Sequence, residues 1–344
     1  MNDLEYRHLV EVYAKQQASL IAALVQALIG LWVPFRWASR PDMINAWAAQ
    51  SAVQADIAAV KARQIARAYM IAQLRGLDAL PDNLPAVEDI YPRSGTPIVE
   101  VYKRPARQFE YAESQGKTLD EATQILTERL EKIVSDDITA VARDDANKVM
   151  EASPKVIGYR RIIHPELSKT GTCGLCVVAA DRFYSRGDLM SIHDLCKCTV
   201  GVMTANSDPG LKLNREDLDA LYEAAGSNYG EDLKKIRVQT SEHGELGPIL
   251  TRKGDEFKTV SRVNREAKRQ TFTPYERPTA KSNKTNWAVM KNTSERSIQI
   301  LQDAKANGTN LVDMTGRGRP VEVKDLDKAI EYHLSLIARA SRYL

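Results

Sequence analysis

Cysteine is scarce in this chain of 344 residues, and all four thiols fall within one stretch of 26 residues. They are Cys173, Cys176, Cys196 and Cys198. A pair of disulfides would need an oxidising compartment, yet the N-terminus lacks the basic region, apolar stretch and cleavage site of a secretory signal. The clustering therefore favours one shared site, although disulfides or four ordinary buried cysteines stay as alternatives.

Motifs of the common enzyme classes are also missing. The sequence contains no Gly-x-Ser-x-Gly elbow, no His-Glu-x-x-His helix and no phosphate-binding glycine loop. This counts against a hydrolase or a nucleotide-binding enzyme. A catalytic triad built from distant residues would leave no local motif, so a protease remains an alternative.

Excess charge of one sign is absent, and long apolar runs are rare. The net charge is only +3, so the whole surface is not expected to bind nucleic acid strongly. A hydrophobic content of 43% with 27% charged residues is typical of a folded soluble protein.

One uncharged run, residues 18–35, has about the length of a membrane span. Its polar and helix-breaking residues Ser19, Gln26 and Pro34 favour a helix that is buried in protein. A membrane partner is therefore not expected.

The cysteine spacing is that of a metal site. Cys173-Gly-Leu-Cys176 suits a knuckle in which two thiolates converge on Zn²⁺, and His193-Asp-Leu-Cys196-Lys-Cys198 supplies further ligands. On an extended segment Cys196 and Cys198 would point to the same side and complete a four-cysteine site. On a helical turn His193 and Cys196 would share a face instead. The sequence leaves both open and predicts a structural zinc, since a catalytic zinc needs an open ligand position and a nearby base.

Three segments carry a resemblance to a known family. They are Tyr159–Pro165 (YRRIIHP), Thr170–Cys176 (TGTCGLC) and His193–Cys198 (HDLCKC). Together they resemble the core of the MuF-type minor head proteins of tailed bacteriophages, in which a Cys-x-x-Cys precedes a His-Pro-Asn-Cys-Arg-Cys-like segment. The resemblance covers roughly residues 100–204. This chain keeps the ligand spacing and differs at Asp194, Leu195 and Lys197.

That resemblance implies a structural role in head morphogenesis. The protein would be a minor capsid component, assembled in the host cytoplasm and retained in the virion at the portal vertex. Its expected partners are the portal protein, the scaffold or major capsid protein, and packaged DNA. Sequences of this kind are sometimes labelled capsid maturation proteases, which is the first alternative function; a DNA-binding accessory protein of the head is the second.

The pattern along the chain predicts an α+β fold with four regions. Residues 1–82 form a helical region for portal or scaffold docking, with helices over 4–31 and 42–75. The first is expected to bury a stripe that begins at Leu4. Prolines in a connector at 83–105 are expected to interrupt any helix there. The core at 106–204 holds the zinc knuckle, and 205–344 form a basic C-terminal region.

Within the core, Thr118-Leu-Asp-Glu121 has the capping-box pattern of a helix start, followed by helices at 119–134 and 136–152. Residues 156–163 are rich in β-branched and aromatic side chains and predict a strand. Arg160 and Arg161 on it are expected to face solvent or a partner. His164 is a further ligand candidate, although a turn residue is the favoured interpretation.

The pattern of the C-terminal region predicts a helix from Asn214 to Gly226, then two short strands at 236–238 and 244–250 that are joined by a turn. Ten basic residues lie between Arg252 and Lys284, and Gly316–Pro320 (GRGRP) resembles an AT-hook core. These are weak candidates for contact with DNA or an acidic partner: Arg262, Arg265, Lys268, Arg269, Arg317 and Arg319. A final helix from residue 326 to 343 is expected to bury Leu326, Ile330, Leu334 and Ile337.

Overall fold

A computed structural model describes residues 1–32, 41–87, 93, 96–167, 174–180, 182–186, 195–215, 238–243, 247–252, 257, 262, 280–314, 318 and 320–344. The chain divides into two compact units, each assembled from separate parts of the sequence. The first unit comprises Met1–Ala23, Ile57–Thr96 and Val134–Phe272, and the second comprises Leu24–Asp56, Pro97–Ile133 and Thr273–Leu344.

The described part is mostly helical with small antiparallel sheets, which confirms the coarse α+β prediction. The helices are α1 (Asp3–Trp32), α2 (Pro41–Gly76), α3 (Ile98–Ser114), α4 (Leu119–Glu151), α5 (Gly174–Ala180), α6 (Ala280–Ala306) and α7 (Leu326–Ser341). The strands are β1 (Val156–Ile162), β2 (Tyr184–Ser185), β3 (Thr199–Thr204), β4 (Val238–His243), β5 (Gly247–Arg252), β6 (Leu311–Val312) and β7 (Val321–Glu322).

The two predicted N-terminal helices are confirmed as α1 and α2. Val10, Tyr13, Leu24 and Leu28 of α1 are buried at helical intervals, whereas Leu4, expected in the same stripe, is 78% exposed. By length and apolar composition α1 could cross a membrane, a test that core helices of soluble proteins also pass.

Helix α3 corrects the prediction that prolines keep residues 83–105 free of helix. It begins at Ile98 and runs through Pro105, which is itself buried. An internal proline costs about 3 kcal/mol of helix stability. Burial of Ile98, Val101 and Phe109 on the same face gains about 1.5–3 kcal/mol each, which outweighs that cost.

Helix α4 is one continuous helix, so the prediction of separate helices at 119–134 and 136–152 was wrong. No glycine or proline occurs between residues 119 and 151 to break it. The predicted capping box at its start is confirmed. The Thr118 amide donates to the Glu121 carboxylate at 2.8 Å, and the Glu121 amide donates to the Thr118 hydroxyl at 3.3 Å.

The first unit is built around a three-stranded antiparallel sheet of order β2-β1-β3. Strand β1 confirms the predicted strand, and its register with β3 pairs Tyr159 with Val202. Helices α1 and α2 meet where the Tyr13 and Tyr69 rings stack, 4.0 Å between centroids. Arg67 of α2 forms a two-point ion pair with the buried Asp145 of α4, at 2.7 and 3.0 Å.

The outer edge of β3 is closed by side chains of α2. Gln73 donates through Nε2 to the Val200 carbonyl at 3.1 Å and accepts from the Val202 amide at 3.0 Å. The Tyr69 hydroxyl donates to the same Val200 carbonyl at 2.7 Å. A single amide thus copies the donor and acceptor of a neighbouring strand, and it satisfies edge groups that would otherwise be buried without partners.

The second unit has an aromatic centre. Trp32 of α1 packs edge-to-face against Trp47 of α2 and Phe109 of α3, with 5.1 Å between centroids in both pairs. The Trp47 indole donates to the Leu28 carbonyl at 3.2 Å, so its N–H is satisfied inside the core.

Helices α6 and α7 of the second unit pack against each other, and the Trp287 and Tyr343 rings stack 4.6 Å apart. Helix α7 confirms the predicted final helix, with Asp325 accepting from the Lys328 amide as its N-cap. Its predicted buried stripe was wrong. The buried positions are Ala329, His333, Leu336 and Ala340.

Candidate metal centre

The candidate centre lies at the start of β3 in the first unit. Residues 195–198 are not helical, and Leu195 has a positive φ of 61°, which turns the chain just before the sheet. Cys196 and Cys198 follow this turn and are 4% and 7% exposed. Their sulfurs approach to 3.0 Å. The two thiols therefore point to the same side, as on the extended alternative for this segment.

Two buried arginines are directed at the Cys198 sulfur. Arg161 of β1 lies 3.5 Å away through Nη1, and Arg143 of α4 lies 3.9 Å away through Nη2. Arg161 is 1% exposed, so the prediction that it faces solvent or a partner was wrong. Arg160, the other arginine of that prediction, is half-buried and pairs with Asp208 at 2.5 Å.

Electrostatic attraction favours the Arg161 guanidinium beside the Cys198 sulfur. Burial alone would lower the pKa of Arg161, but the opposing charges of Cys198 and Tyr159 outweigh burial and raise it. The hydrogen bond with Cys196, together with burial, raises the pKa of the Cys198 thiol well above its usual value, while both arginines pull in the opposite direction. The positive charges of Arg161 and Arg143 therefore lie where they would offset the negative charge of a Cys198 thiolate.

Cys176, the third cysteine in the described part of the chain, lies in α5 and is buried. Helix α5 packs against β1. Its C-terminal carbonyls are tied to neighbouring elements: the Tyr184 hydroxyl donates to the Ala179 carbonyl at 2.9 Å, and the Asn214 amide donates to the Ala180 carbonyl at 2.9 Å. The second cysteine of the knuckle therefore sits on a short, anchored helix.

Asn214 has a role that the sequence did not reveal. It was predicted to start a helix, but it lies within helical residues 209–215 and is buried. Besides Ala180 it donates to the Arg161 carbonyl at 2.7 Å. One amide thus links β1, which carries Arg161, to α5, which carries Cys176. No local pattern marked Asn214 as buried, because the charged Lys212 and Arg215 lie close to it in the sequence.

Cys173 and His193 lie outside the described residues. Among those that are described, no group of three or more histidine, cysteine, aspartate or glutamate side chains is close enough together to hold a metal ion. Cys176, Cys196 and Cys198 form no disulfide. Of the five predicted ligands, the structure brings Cys196 and Cys198 together. That the others join them around one metal ion stays a prediction.

The residues present fit a soft divalent ion. Two buried sulfurs converge beside cationic groups, as thiolate ligands require. Thiolates on a tetrahedral zinc lie about 3.8 Å apart, given Zn–S bonds of about 2.3 Å. The observed 3.0 Å between the Cys196 and Cys198 sulfurs is shorter, so the pair would open by less than an ångström to take the ion.

His164, the further ligand candidate, is occupied elsewhere. Its Nδ1 lies 2.9 Å from a Glu166 carboxylate oxygen, and its Nε2 lies 2.9 Å from the Thr199 hydroxyl. Burial alone would raise the pKa of Glu166, but the hydrogen bond with His164 and further lowering contacts outweigh it, so the pKa is lowered. His164 and Thr199 are 5% and 4% exposed. The arrangement places a carboxylate, an imidazole and a hydroxyl in series, and the hydroxyl belongs to Thr199, which directly follows Cys198 in the sequence.

A small cavity of about 10 Å³ adjoins Cys198 and Thr199. Tyr13, Tyr69 and Arg143 are among the residues around it. Burial raises the pKa of the Tyr69 phenol well above its usual value. A cavity of this size holds about one water molecule, and the polar groups in its wall suit one.

The weak nucleic-acid candidates fall largely outside the described residues. This applies to Arg265, Lys268, Arg269, Arg317 and Arg319, while Arg262 is described and exposed. In the GRGRP segment, Gly318 adopts a φ of 72° and its amide donates to the Asp313 carboxylate at 2.6 Å. Gly318 and Pro320 are the described residues of this segment, which follows β6 and precedes β7 in the sequence.

Compared with models of known protein families, with curated protein sequences and with solved structures, the chain matches none of them.

Proposed function

We propose that this protein is a structural minor head protein of a tailed bacteriophage, one that assembles with the portal and is held together at its centre by a zinc ion. The observation that supports this most directly is the convergence of Cys196 and Cys198 to 3.0 Å. These two cysteines end the segment on which the resemblance to MuF-type proteins rests, and their geometry suits the metal that the spacing predicts.

In this proposal the chain supplies thiolate ligands from two elements. Cys196 and Cys198 come from the entry to β3 and Cys176 comes from α5, with Cys173 or His193 as the fourth. The bound ion contributes folding free energy and no chemistry. Arg161 and Arg143 offset the negative charge that several thiolates bring into a buried site.

The N-terminal helices provide the docking surface of the proposal. Helices α1 and α2 have 30 and 36 residues. At about 1.5 Å per residue they are about 45 and 54 Å long, which suits contact along an extended partner such as the portal or scaffold. The basic stretch between residues 252 and 284 is the candidate for contact with packaged DNA.

Native mass spectrometry of the purified chain tests the metal. We expect one zinc per chain, and we expect Cys196→Ser and Cys198→Ser to lose it and to melt at lower temperature. His8→Gln, at an exposed histidine outside the set, is the control and should keep the ion. Fully native protein without metal would refute the zinc clamp.

Location in assembled particles tests the head function separately. Labelling of the protein in purified phage should give a few copies at the portal vertex, and the chain should co-purify with portal protein when both are expressed. Mature particles that lack the protein, together with no binding to portal, would exclude the structural head role whether or not zinc is bound.

A capsid maturation protease is the second candidate, and one observation favours it. Glu166, His164 and Thr199 are hydrogen-bonded in the order of an orienting acid, a base and a nucleophile. Against this, Thr199 is 4% exposed and the cavity beside it holds about one water, so a peptide has no room at the hydroxyl.

Incubation with the capsid subunit separates the two functions. The structural proposal expects no cleavage by the wild type. Cleavage that is lost in Thr199→Val and retained in Thr204→Val, a control on the same strand, would instead assign the protein as a protease.

A further inference from the structure

Cys196 and Cys198 are placed for a second reaction besides metal binding. Their sulfurs lie 3.0 Å apart. A disulfide bond is about 2.05 Å long, whereas two thiolates on one zinc ion lie about 3.8 Å apart. The observed distance lies between these two values, so a movement of about 1 Å or less reaches either state.

The backbone around the pair also permits a bridge. Residues two apart on an extended segment have Cα atoms about 6.6 Å apart, and disulfides join Cα atoms that are about 4.4–6.8 Å apart. Leu195, with its positive φ of 61°, turns the chain just before the pair, and its amide donates to the Asp136 carboxylate of α4 at 3.4 Å. The start of the segment is thereby attached to a long helix. A bridge between the two sulfurs can therefore form by movement of side chains.

The surroundings of the pair restrict which oxidant can react with it. The guanidinium groups of Arg161 and Arg143 lie 3.5 and 3.9 Å from the Cys198 sulfur and hold it in position. Cys196 and Cys198 are only 4% and 7% exposed. A second protein cannot bring a disulfide to sulfurs this deeply buried, whereas a molecule as small as hydrogen peroxide needs little space.

We infer that Cys196 and Cys198 form a reversible dithiol–disulfide pair that is oxidised by a small peroxide. In the first step one thiol attacks a peroxide oxygen, the O–O bond breaks, and a sulfenic acid and one water are formed. In the second step the neighbouring thiol attacks the sulfenic sulfur, the S–S bond forms, and the hydroxyl leaves with the thiol proton as a second water. The two thiols together lose two hydrogen atoms, and the peroxide is reduced to two waters.

A disulfide uses both sulfurs, so the disulfide and a metal ion exclude each other at this site. This consequence rests on the proposed zinc clamp, whereas the formation of the disulfide does not. Oxidation of the pair releases the ion, and reduction restores its ligands. The clamp at the centre of the first unit thus responds to the redox state of its surroundings.

Lys197 makes the test direct, because trypsin cleaves between the two cysteines. The full chain is treated with a chelator and then with hydrogen peroxide, its remaining thiols are blocked, and it is denatured and digested without reductant. Cys196 then falls in the peptide of residues 187–197 and Cys198 in that of residues 198–212. We expect the undigested chain to keep its monomer mass, the two peptides to be joined after peroxide, and dithiothreitol to separate them.

The other two cysteines provide an internal control, because both lie in the peptide of residues 170–182. This peptide should not be joined to either of the others. Cys196→Ser and Cys198→Ser should each abolish the link, and the remaining sulfur should be trapped by dimedone as a sulfenic acid. Recovery of the two peptides separately after peroxide, or a link from either of them to residues 170–182, would overturn the inference without recourse to the variants.

Native mass spectrometry of the oxidised and the reduced chain distinguishes this inference from the zinc clamp. We expect zinc to bind the reduced chain and to be lost from the oxidised one. A chain that forms the link and carries zinc in neither state would refute the clamp and support the dithiol pair. A chain that binds zinc and never forms the link would refute the dithiol pair alone.

Discussion

Replacement of His333 by leucine should make the second unit more stable and remove part of its sensitivity to acid. His333 is 0% exposed in α7, and neither ring nitrogen has a hydrogen-bond partner among the residues that the structure describes. A buried polar group without a partner costs about 1–3 kcal/mol. His333→Leu removes that cost, so we expect stabilisation at pH 7, reduced by any misfit of the new side chain.

The pH dependence gives the sharper test. Burial lowers the pKa of His333 from 6.5 to about 4, because the imidazolium would lose its hydration. The unfolded chain therefore binds a proton more readily than the folded one. The stability linked to His333 is complete above pH 6.5 and falls by about 1.4 kcal/mol per pH unit as the pH drops towards 4. The whole difference amounts to about 3 kcal/mol.

The measurement is urea unfolding of wild type and His333→Leu between pH 7 and pH 4. It should be followed by tryptophan fluorescence and by hydrogen exchange of α7 amides, because all four tryptophans belong to the second unit, as α7 does. Neither signal reports on the cysteine site, whose metal affinity also falls with acid. The advantage of His333→Leu should grow by about 3 kcal/mol over this range. His8→Gln, at an exposed histidine, is the control.

Parallel pH curves for wild type and His333→Leu would refute the reasoning. They would mean that the imidazole is hydrated or hydrogen-bonded in solution, so that its proton affinity does not change on folding. The curve for His8→Gln should follow the wild type, which excludes a general effect of losing one histidine.

Three further substitutions test the packing, each by chemical unfolding. Gln73→Leu leaves the buried Val202 amide without its acceptor, while the Val200 carbonyl keeps the Tyr69 hydroxyl, and should cost about 1–3 kcal/mol, whereas an unchanged stability would mean that water replaces the side chain. Arg67→Met should cost about 3 kcal/mol because Asp145 stays buried without its partner, and Arg67→Met with Asp145→Leu should recover much of that loss. Thr118→Ala should cost about 1 kcal/mol through the cap of α4, and thermal melting that does not change would contradict the capping bonds.

Local patterns predicted much of the fold because they act over a few residues. The capping box at Thr118, the start of α2 at Pro41 and the β-branched run of β1 each set a boundary that the structure reproduces. Pro105 shows where this fails. Its local effect predicts a break, yet the buried face of α3 keeps the helix intact, and the gain from burial comes from residues distant in sequence.

The candidate metal centre was likewise predicted only in part from the sequence. The spacing of the cysteines marked it, but the sequence did not show that Arg143 would reach Cys198 from 55 residues away. Arg161 carried a usable signal, because alternation along β1 places it on the same face as the buried Tyr159. Adjacent residues of a strand point to opposite faces of its sheet, so Arg160 and Arg161 were not to be expected in the same environment once one face is buried. For α7 the helix itself was predicted correctly, but the stripe that it buries was not. Two apolar stripes run along this helix, and its packing against α6 is not visible in the local sequence.

Gln73 and the strand that it completes are separated by 127 residues. During synthesis the ribosome releases α2 long before β3 exists, so the amide waits without a counterpart until the chain has emerged past residue 202. The sheet of the first unit is therefore sealed late, by a contact that no shorter fragment can make. Truncated products that end before β3 leave the Gln73 side chain of α2 without these partners, so we expect them to be less stable than the full chain.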